Sequence, residues 1–531
     1  MPLNLTNLRA AVRYEGRVSR RLFLAYGAAL AGLPLLSERA SGAARLARAT
    51  FQADPFRLGV ASGDPDHAGV VLWTRLAPRP LEPNGGMEPA PVAVRWEVAE
   101  DEGMKTVVQS GTATATRLLG HSVHVEVNGL KPDRWYWYRF QAGDAQSPVG
   151  RTRTLPAPNA RPDRLRFAFA SCQHYEAGLF TAYEQMARDD LDLVFHLGDY
   201  IYEGPGRDNQ VRKHAGPKLF TLGDYRVRYA QYRADPLLQA AHARFPWFLT
   251  WDDHEFENNY AGDVSERSGV DPAEFLLHRA AAYQAYYEMM PLRRRSLPRG
   301  PDLQLFRKAS YGRLAELFVL DTRQYRSDQP NNDRASDLNA AALDPKNTLL
   351  GAGQRKWLET GLAASPGAWN VLAQQVMMGM VDRTPGAARL YSMDQWPGYA
   401  HERMALVQFM ADRKVANPVV LTGDIHTNWV NDLRVDDRKP ELPLVATEFV
   451  GTSITSGGDG TDTPKNLDTL LAENPCVRFH NQQRGYVRCT LTPAYWRSDY
   501  VVVEHVTRPG AKAFTRASFV VENNKPGAKP A

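Results

Sequence analysis

Cysteine is scarce in this 531-residue chain: Cys172, Cys476 and Cys489 are too few for a disulfide-stapled scaffold. Long apolar runs are missing too. After the first forty residues no segment stays apolar for the ~20 residues a membrane-spanning helix needs, so no stable membrane anchor is expected in the mature form. Charge of one sign is also lacking. The 64 basic and 59 acidic residues leave a formal +5, which gives no basis for a nucleic-acid partner. Neither a fixed-period repeat nor a long low-complexity tract interrupts the chain. With 43% hydrophobic and 23% charged residues the composition is that of a globular protein, and the length predicts two or more domains.

The amino terminus has its own character. Ser19-Arg20-Arg21-Leu22-Phe23-Leu24 precedes a mildly apolar segment, Ala25 to Leu36, and then small residues around Ser41 to Ala44. These are the charged, apolar and cleavable regions of an export signal, and the arginine pair resembles a twin-arginine signal. Residues 1–48 are therefore expected to direct the folded protein through the twin-arginine translocase to a periplasmic or secreted location. In an oxidising compartment Cys476 and Cys489 could pair or stand as two buried thiols, which leaves Cys172 to be explained.

From 52 to 155 the texture is all-β. VVLWTRL, VAVRWEVA, TVVQSGTATAT, HSVHVEVNGL and RWYWYRFQAG alternate apolar and polar residues between turn signals. That pattern predicts a small antiparallel sandwich of fibronectin III/Ig-like type, with a tyrosine at a corner near 130–138. A Pro-rich connector, 155–162, follows. From 163 to 525 apolar runs at 165–171, 193–197, 246–250, 315–320, 369–373 and 418–422 alternate with helical patterns, which predicts a layered α/β domain. Residues 526–531 read as a disordered tail.

The strand-like runs end in chemistry. Cys172 follows the first, Asp199 and Tyr202 the second, Trp251-Asp252-Asp253-His254-Glu255 the third, Asp321-Thr322-Arg323 the fourth and Gly423-Asp424-Ile425-His426 the sixth. In open α/β sheets ligands bind beyond the carboxyl ends of the strands, so chain direction places these side chains at one edge of one sheet. Cys172, Asp199, Tyr202, Asp253, His254, Asp424 and His426 offer a thiol, three carboxylates, a phenol and two imidazoles there. So many acids together resist ionisation unless a cation joins them. The mixture of hard oxygen with His, Tyr and Cys donors suits two ions, and paired metals generate hydroxide and clamp both oxygens of a phosphoryl displacement. Arg323 either pairs with substrate phosphate or forms a structural pair with Asp321.

The series SC (171–172), GDYIY (198–202), WDDHE (251–255) and TGDIH (422–426) resembles the calcineurin-like metallophosphoesterases, and within them the PhoD-like alkaline phosphatases. Cys172 stands where the wider superfamily has an acid, Asp253 where it has Asn, and Asp424 where it has the first His of its last motif. The PhoD-like group shares these departures, the preceding β-sandwich and the twin-arginine signal. The resemblance implies a metallophosphoesterase sandwich and a secreted phosphohydrolase of monoesters, diesters or both. It implies Fe³⁺ on Cys172, Asp199, Tyr202 and His426, with one or two Ca²⁺ near Asp199, Asp253 and Asp424 and Asn258 as a further oxygen donor. His254 matches an uncoordinated histidine beside the leaving group. Two other readings stay open: a phosphodiesterase or phospholipase D-like enzyme acting on head groups or cell-wall polymers, and a non-catalytic calcium-dependent recognition protein.

Overall fold

The computed structural model describes residues 50–384, 386 and 388–531; the expected export signal lies outside the described residues. The N-terminal segment supplies β1 (Val60–Gly63), β2 (Gly69–Arg75), β3 (Val92–Ala99), β4 (Val107–Ala115), β5 (Ser122–Asn128), β6 (Trp135–Ala142), β7 (Ala145–Gln146) and β8 (Gly150–Arg153). Then come β9 (Leu165–Ala170), β10 (Leu193–His196), β11 (Pro246–Leu249), β12 (Arg307–Tyr311), β13 (Ala315–Val319), β14 (Trp369–Ala373) and β15 (Pro418–Thr422). The chain finishes with β16 (Asn428–Leu433), β17 (Ala446–Val450), β18 (Val477–Asn481), β19 (Gly485–Leu491), β20 (Tyr495–Val503), β21 (Ala513–Glu522) and β22 (Lys525–Pro530). The helices that cover the sheets are α1 (Thr181–Met186), α2 (Leu222–Arg233), α3 (Pro236–Arg244), α4 (Pro272–Met289), α5 (Gly351–Ala363) and α6 (Ala400–Asp412).

All six apolar runs form strands, but they do not share a sheet. Among the described residues β9, β10 and β11 lie side by side and parallel in a ten-stranded sheet, whereas β13, β14 and β15 are parallel neighbours in a seven-stranded one. This corrects the single-sheet expectation. Strand β19 returns antiparallel along β9 and closes that flank, so the second parallel set must stack on the first rather than extend it. Phe167, Phe169, Phe195 and Phe248 of one sheet meet Leu317, Val371, Val419, Leu421 and Phe449 of the other in a common core. The outer faces are covered by α2, α4 and α3 on one side and α5 and α6 on the other. Each strand of the parallel sets is buried on both faces, which is why it reads as an unbroken apolar run.

Local sequence sets the helix starts. Asp235 and Asp271 each accept two backbone N–H groups at the head of α3 and α4, with Pro236 and Pro272 in the first turn. Thr221 and Asp224 cap α2 reciprocally.

The N-terminal region is a sandwich, but half of it belongs to the large sheet. Strands β3, β4, β6, β7 and β8 form their own layer, packed through Val94, Val98, Tyr138 and Phe140 onto Val70, Leu72, Val123 and Val125 of β2 and β5. Strands β1, β2 and β5 continue the ten-stranded sheet beyond β11, with Ser62 and Gly63 paired parallel to Pro246 and Trp247. The backbone N–H of Lys131 donates to the Tyr136 hydroxyl, 3.0 Å away, which forms the expected tyrosine corner. The expected disordered tail is also corrected. Lys525–Pro530 pairs antiparallel with β21, and the Ala528 N–H reaches Asp432 Oδ1 at 3.2 Å. Because β22 is an edge strand, Pro526 and Pro530 are tolerated. All three cysteines are free and buried. Among the described residues no helix is long and apolar enough to cross a membrane.

The junction is tied by the buried Arg307–Asp64 pair, 2.6 Å apart, and by the Trp73 indole donating to the Glu288 carbonyl at 2.9 Å. A chain beginning at residue 163 is accordingly expected not to fold, because the free side of β11 and the apolar surface around it would face water. Soluble yield and thermal melting check this; a cooperative melt from the truncated chain would refute it.

Candidate metal centre

The carboxyl ends of both parallel sets converge on one rim. Beyond β9 the chain forms a parallel bridge from Ser171 to Ser453, which lies beyond β17, so the two sheets are linked at the rim itself. Approach is close enough to require glycine. A Cβ on Gly423 would sit 2.6 Å from Ser171 Oγ, and one on Gly198, at φ +109°, would sit 2.4 Å from Asp252 Cβ. Immediately after these glycines and strand ends, Cys172, Asp199, Asp424 and His426 all adopt left-handed backbone, with φ of 58°, 56°, 61° and 60°. Such strain in non-glycine residues persists only where surrounding contacts enforce it, and it gathers at functional sites. Here the Cys172 N–H donates to Gly198 O and the Gln173 N–H to Asp199 O, both at 3.0 Å. Two strand-end turns thus hold each other in the strained form.

The side chains meet in linked groups. Ligand atoms of Cys172, Asp199 and His426 all lie within 4.8 Å of one another; the same holds for Asp199, Asp253 and His254, and for Asp252, Asp253 and Asp424. The Tyr202 hydroxyl donates to Asp199 Oδ2 at 2.8 Å and lies 3.2 Å from His426 Nε2 and 2.6 Å from Ser456 Oγ. Asp199 Oδ1 is buried without a hydrogen-bond partner. A buried carboxylate with one oxygen unpartnered, grouped with a thiol, an imidazole and a phenol, fits a cation, which would satisfy them together.

Electrostatics agree. Burial, with the Asp199 charge added, pushes both the Cys172 thiol and the Tyr202 phenol well above their ordinary ranges. Asp424 is pushed up to about 6 by burial, against the pull of Arg323, with Asp394, Asp253 and Asp199 adding to the rise. Asp253 is likewise raised by burial, but Arg323, His254 and the Asn259 N–H outweigh that and hold it low. Cys172 and Tyr202 would have to bind a metal deprotonated, so an ion held there would oppose the first two shifts.

Six of the seven expected ligands stand at this rim: Cys172, Asp199, Tyr202, Asp253, Asp424 and His426. Asn258 does not, and that expectation is corrected. Its amide is 2.9 Å from Glu266, whereas the neighbouring Asn259, at φ +47°, donates its N–H to Asp253 Oδ2 at 2.7 Å. Arg323 is the second correction, because its side chain is fully buried and committed to aspartates rather than open to a substrate. It pairs with Asp252 and with Asp394, the latter at 2.7 Å, and lies 3.5 Å from Asp424 and 3.7 Å from Asp253. The expected partner Asp321 instead accepts the Arg323 backbone N–H at 3.0 Å.

His254 does reach the cleft, with its side chain 20% exposed, its ring 4.3 Å from that of Tyr202 and its Nδ1 2.7 Å from Glu203. Burial opposes its charge, but Glu203, Asp199 and Asp253 outweigh burial and raise its proton affinity well above that of a free histidine.

Sequence reasoning missed Glu203, Glu255 and Asp394. Glu203 ends the GDYIYE stretch and Glu255 ends WDDHE, so both were in view as motif edges. Glu255 ties two strand ends together by accepting N–H groups from Asp199 at 3.1 Å and Asp252 at 2.8 Å. Burial and the Asp199 charge push it up to about 8. Asp394 carries no comparable signal, since it lies in a loop far from any strand-end motif.

The chain is similar to known proteins over nearly its whole length. The family model described as PhoD-like phosphatase matches residues 167–500, and that described as PhoD-like phosphatase, N-terminal domain, matches residues 41–156. Alkaline phosphatase D of Bacillus subtilis (strain 168) is 51% identical over 516 residues, 96% of this chain and 88% of the relative. A solved structure, "Structure of PhoD", superposes with a TM-score of 0.89 at 52% identity, covering 91% of this chain and 93% of that one.

Replacing the buried guanidinium would strand its aspartates. Arg323→Met is expected to lower folding stability by about 3–5 kcal/mol, read from denaturant midpoints of the metal-depleted protein. An unchanged midpoint would show that the aspartates do not depend on it.

Proposed function

The chain belongs to the PhoD-like phosphatase family and is a hydrolase of phosphoric ester bonds; we propose that it works as an exported, metal-dependent enzyme whose reaction centre is the rim just described. The observation that carries this reading is the meeting of Cys172, Asp199 and His426, all three on left-handed backbone, with Tyr202 bonded to the shared Asp199.

In this reading Cys172, Asp199, Tyr202 and His426 would hold Fe³⁺, while Asp199, Asp253 and Asp424 would hold one or two Ca²⁺, matching soft and nitrogen donors to the transition ion and carboxylates to the hard one. When bound, the ions supply a nucleophilic oxygen at neutral pH and neutralise charge on the phosphoryl group. The protein's own groups do the rest. His254 donates a proton to the departing oxygen or hydrogen-bonds the phosphate, and Glu203 keeps its imidazole protonated and aimed across the Tyr202 ring. Glu255 fixes the Asp199 and Asp252 turns relative to one another. Gln395 donates to Asp424 Oδ2 at 2.9 Å and so orients that carboxylate. The substrate class is phosphate esters, and rates on a monoester and a diester of one chromophore would rank the two.

Asp199→Ala is expected to lose bound metal and turnover together, because that carboxylate belongs to two of the ligand groups. His254→Ala should keep the metal content and lose about 10²–10⁴ in kcat. Elemental analysis beside steady-state kinetics checks both; normal hydrolysis by the Asp199 variant would overturn the proposal. Export through the twin-arginine route rests on Arg20-Arg21 ahead of the apolar segment. Replacing both arginines with lysine should leave the protein inside the cell, as fractionation and blotting would show.

A further inference from the structure

A second set of ligand-type side chains lies beside the rim, and the loop leading from β10 to α2 folds around it. Its centre is Glu176. The backbone carbonyl of that residue accepts the Val211 N–H at 3.1 Å, while its Oε1 accepts the N–H groups of Arg207 at 2.8 Å and His214 at 3.0 Å. The other carboxylate oxygen, Oε2, is buried and takes no hydrogen bond. Its nearest polar neighbours are His214 Nδ1 at 3.7 Å and Arg207 Nε at 3.5 Å, and the Arg207 side chain is 64% exposed. Nδ1 of His214 and Nδ1 of His174 are buried and unpartnered as well.

Three unsatisfied polar atoms in one small volume are costly, and native proteins rarely leave them so. A ligand atom from each of His174, Glu176 and His214 lies within 4.8 Å of the other two. The side chains of His214 and Glu176 are 0% and 1% exposed. His214 is also oriented from behind: its Nε2 is 2.9 Å from the Tyr232 hydroxyl, which accepts the Tyr175 N–H at 3.0 Å. A partner on the far ring nitrogen is what fixes a metal-binding imidazole.

We propose that His174, Glu176 and His214 form a site for one divalent transition-metal ion of the zinc type, distinct from the centre around Asp199. Two imidazoles and one carboxylate are a recurrent zinc set that leaves a fourth position for water. Burial keeps the His214 imidazole neutral, the form that binds metal. The ion would fasten the 207–214 segment to the turn that follows Cys172. Its influence on the reaction would pass through His174, whose ring packs 4.4 Å from that of Tyr202.

The test uses the full mature chain. Native protein, His174→Gln, His214→Ala and Asp199→Ala are each stripped with a chelator, loaded with Zn²⁺, desalted and assayed for zinc per chain. The native protein should retain one zinc more than His174→Gln and His214→Ala, and zinc-loaded native crystals should show an anomalous-scattering peak between the three side chains. His174 is the less buried of the two histidines, so its variant reads the site even if His214→Ala fails to fold. Asp199→Ala should lose only ions of the main centre and keep the peak, which separates failure of this proposal from failure of the reaction-centre reading. Equal zinc in native and His174→Gln protein, with no peak among the three residues, would overturn it.

Discussion

Negative charge packed out of water at the meeting of two sheets is the constraint on which the rest of the structure depends. Asp199, Asp252, Asp253 and Asp394 are buried and Asp424 is partly buried; the guanidinium of Arg323 stands among four of them, and that of Arg326 pairs with Asp394 at 2.7 Å. Two guanidinium groups do not balance five acids. Asp252 and Asp424 are raised by burial despite Arg323, while Asp253 is held down; the cluster divides into members that keep their charge and members that resist it. Such a division suits additional cations, with Arg323 and Arg326 as the permanent part of the compensation.

Two sheets achieve what one could not. A single parallel sheet presents its strand ends in a row, so its outermost side chains lie far apart. Stacking β9–β11 against β13–β15 brings donors from both sides of an apolar interface to within ligand distance. The left-handed turns at Cys172, Asp199, Asp424 and His426 then point inward what an ordinary strand exit would let splay. Fold and chemistry therefore meet at the backbone, before any side chain is considered.

Much of this was legible in the sequence. Runs such as 193–197 and 418–422 were readable because burial on both faces leaves a strand no polar positions. What could not be read was partnership across space. The same alternation of strand and helix serves one sheet or two, and only the return of β19 along β9 decides it. Arg323 looked like a phosphate contact because its guanidinium matches phosphate as well as it matches the distant Asp252 and Asp394. Asn258 and Asn259 differ by one position, and it is the backbone N–H of Asn259 that reaches Asp253, a contact that residue type does not announce. The tail read as disordered because its composition is polar and Pro-rich, whereas its order comes from Asp432 and β21, far away in the chain.

The sharing of one sheet between the N-terminal sandwich and the hydrolase layers limits how the molecule can move. Strands β1, β2 and β5 are bonded edge to edge into the same ladder that carries Asp199 and Asp253, so the sandwich cannot swing over the cleft like a hinged cover. The connecting segments around 204–219 and 329–347 do not belong to the ladder, and the first of them is held instead by Glu176, which accepts backbone N–H groups from Arg207, Val211 and His214. Changes of length or sequence in those two stretches would therefore leave the ladder, and the strand ends that carry Asp199 and Asp253, in register.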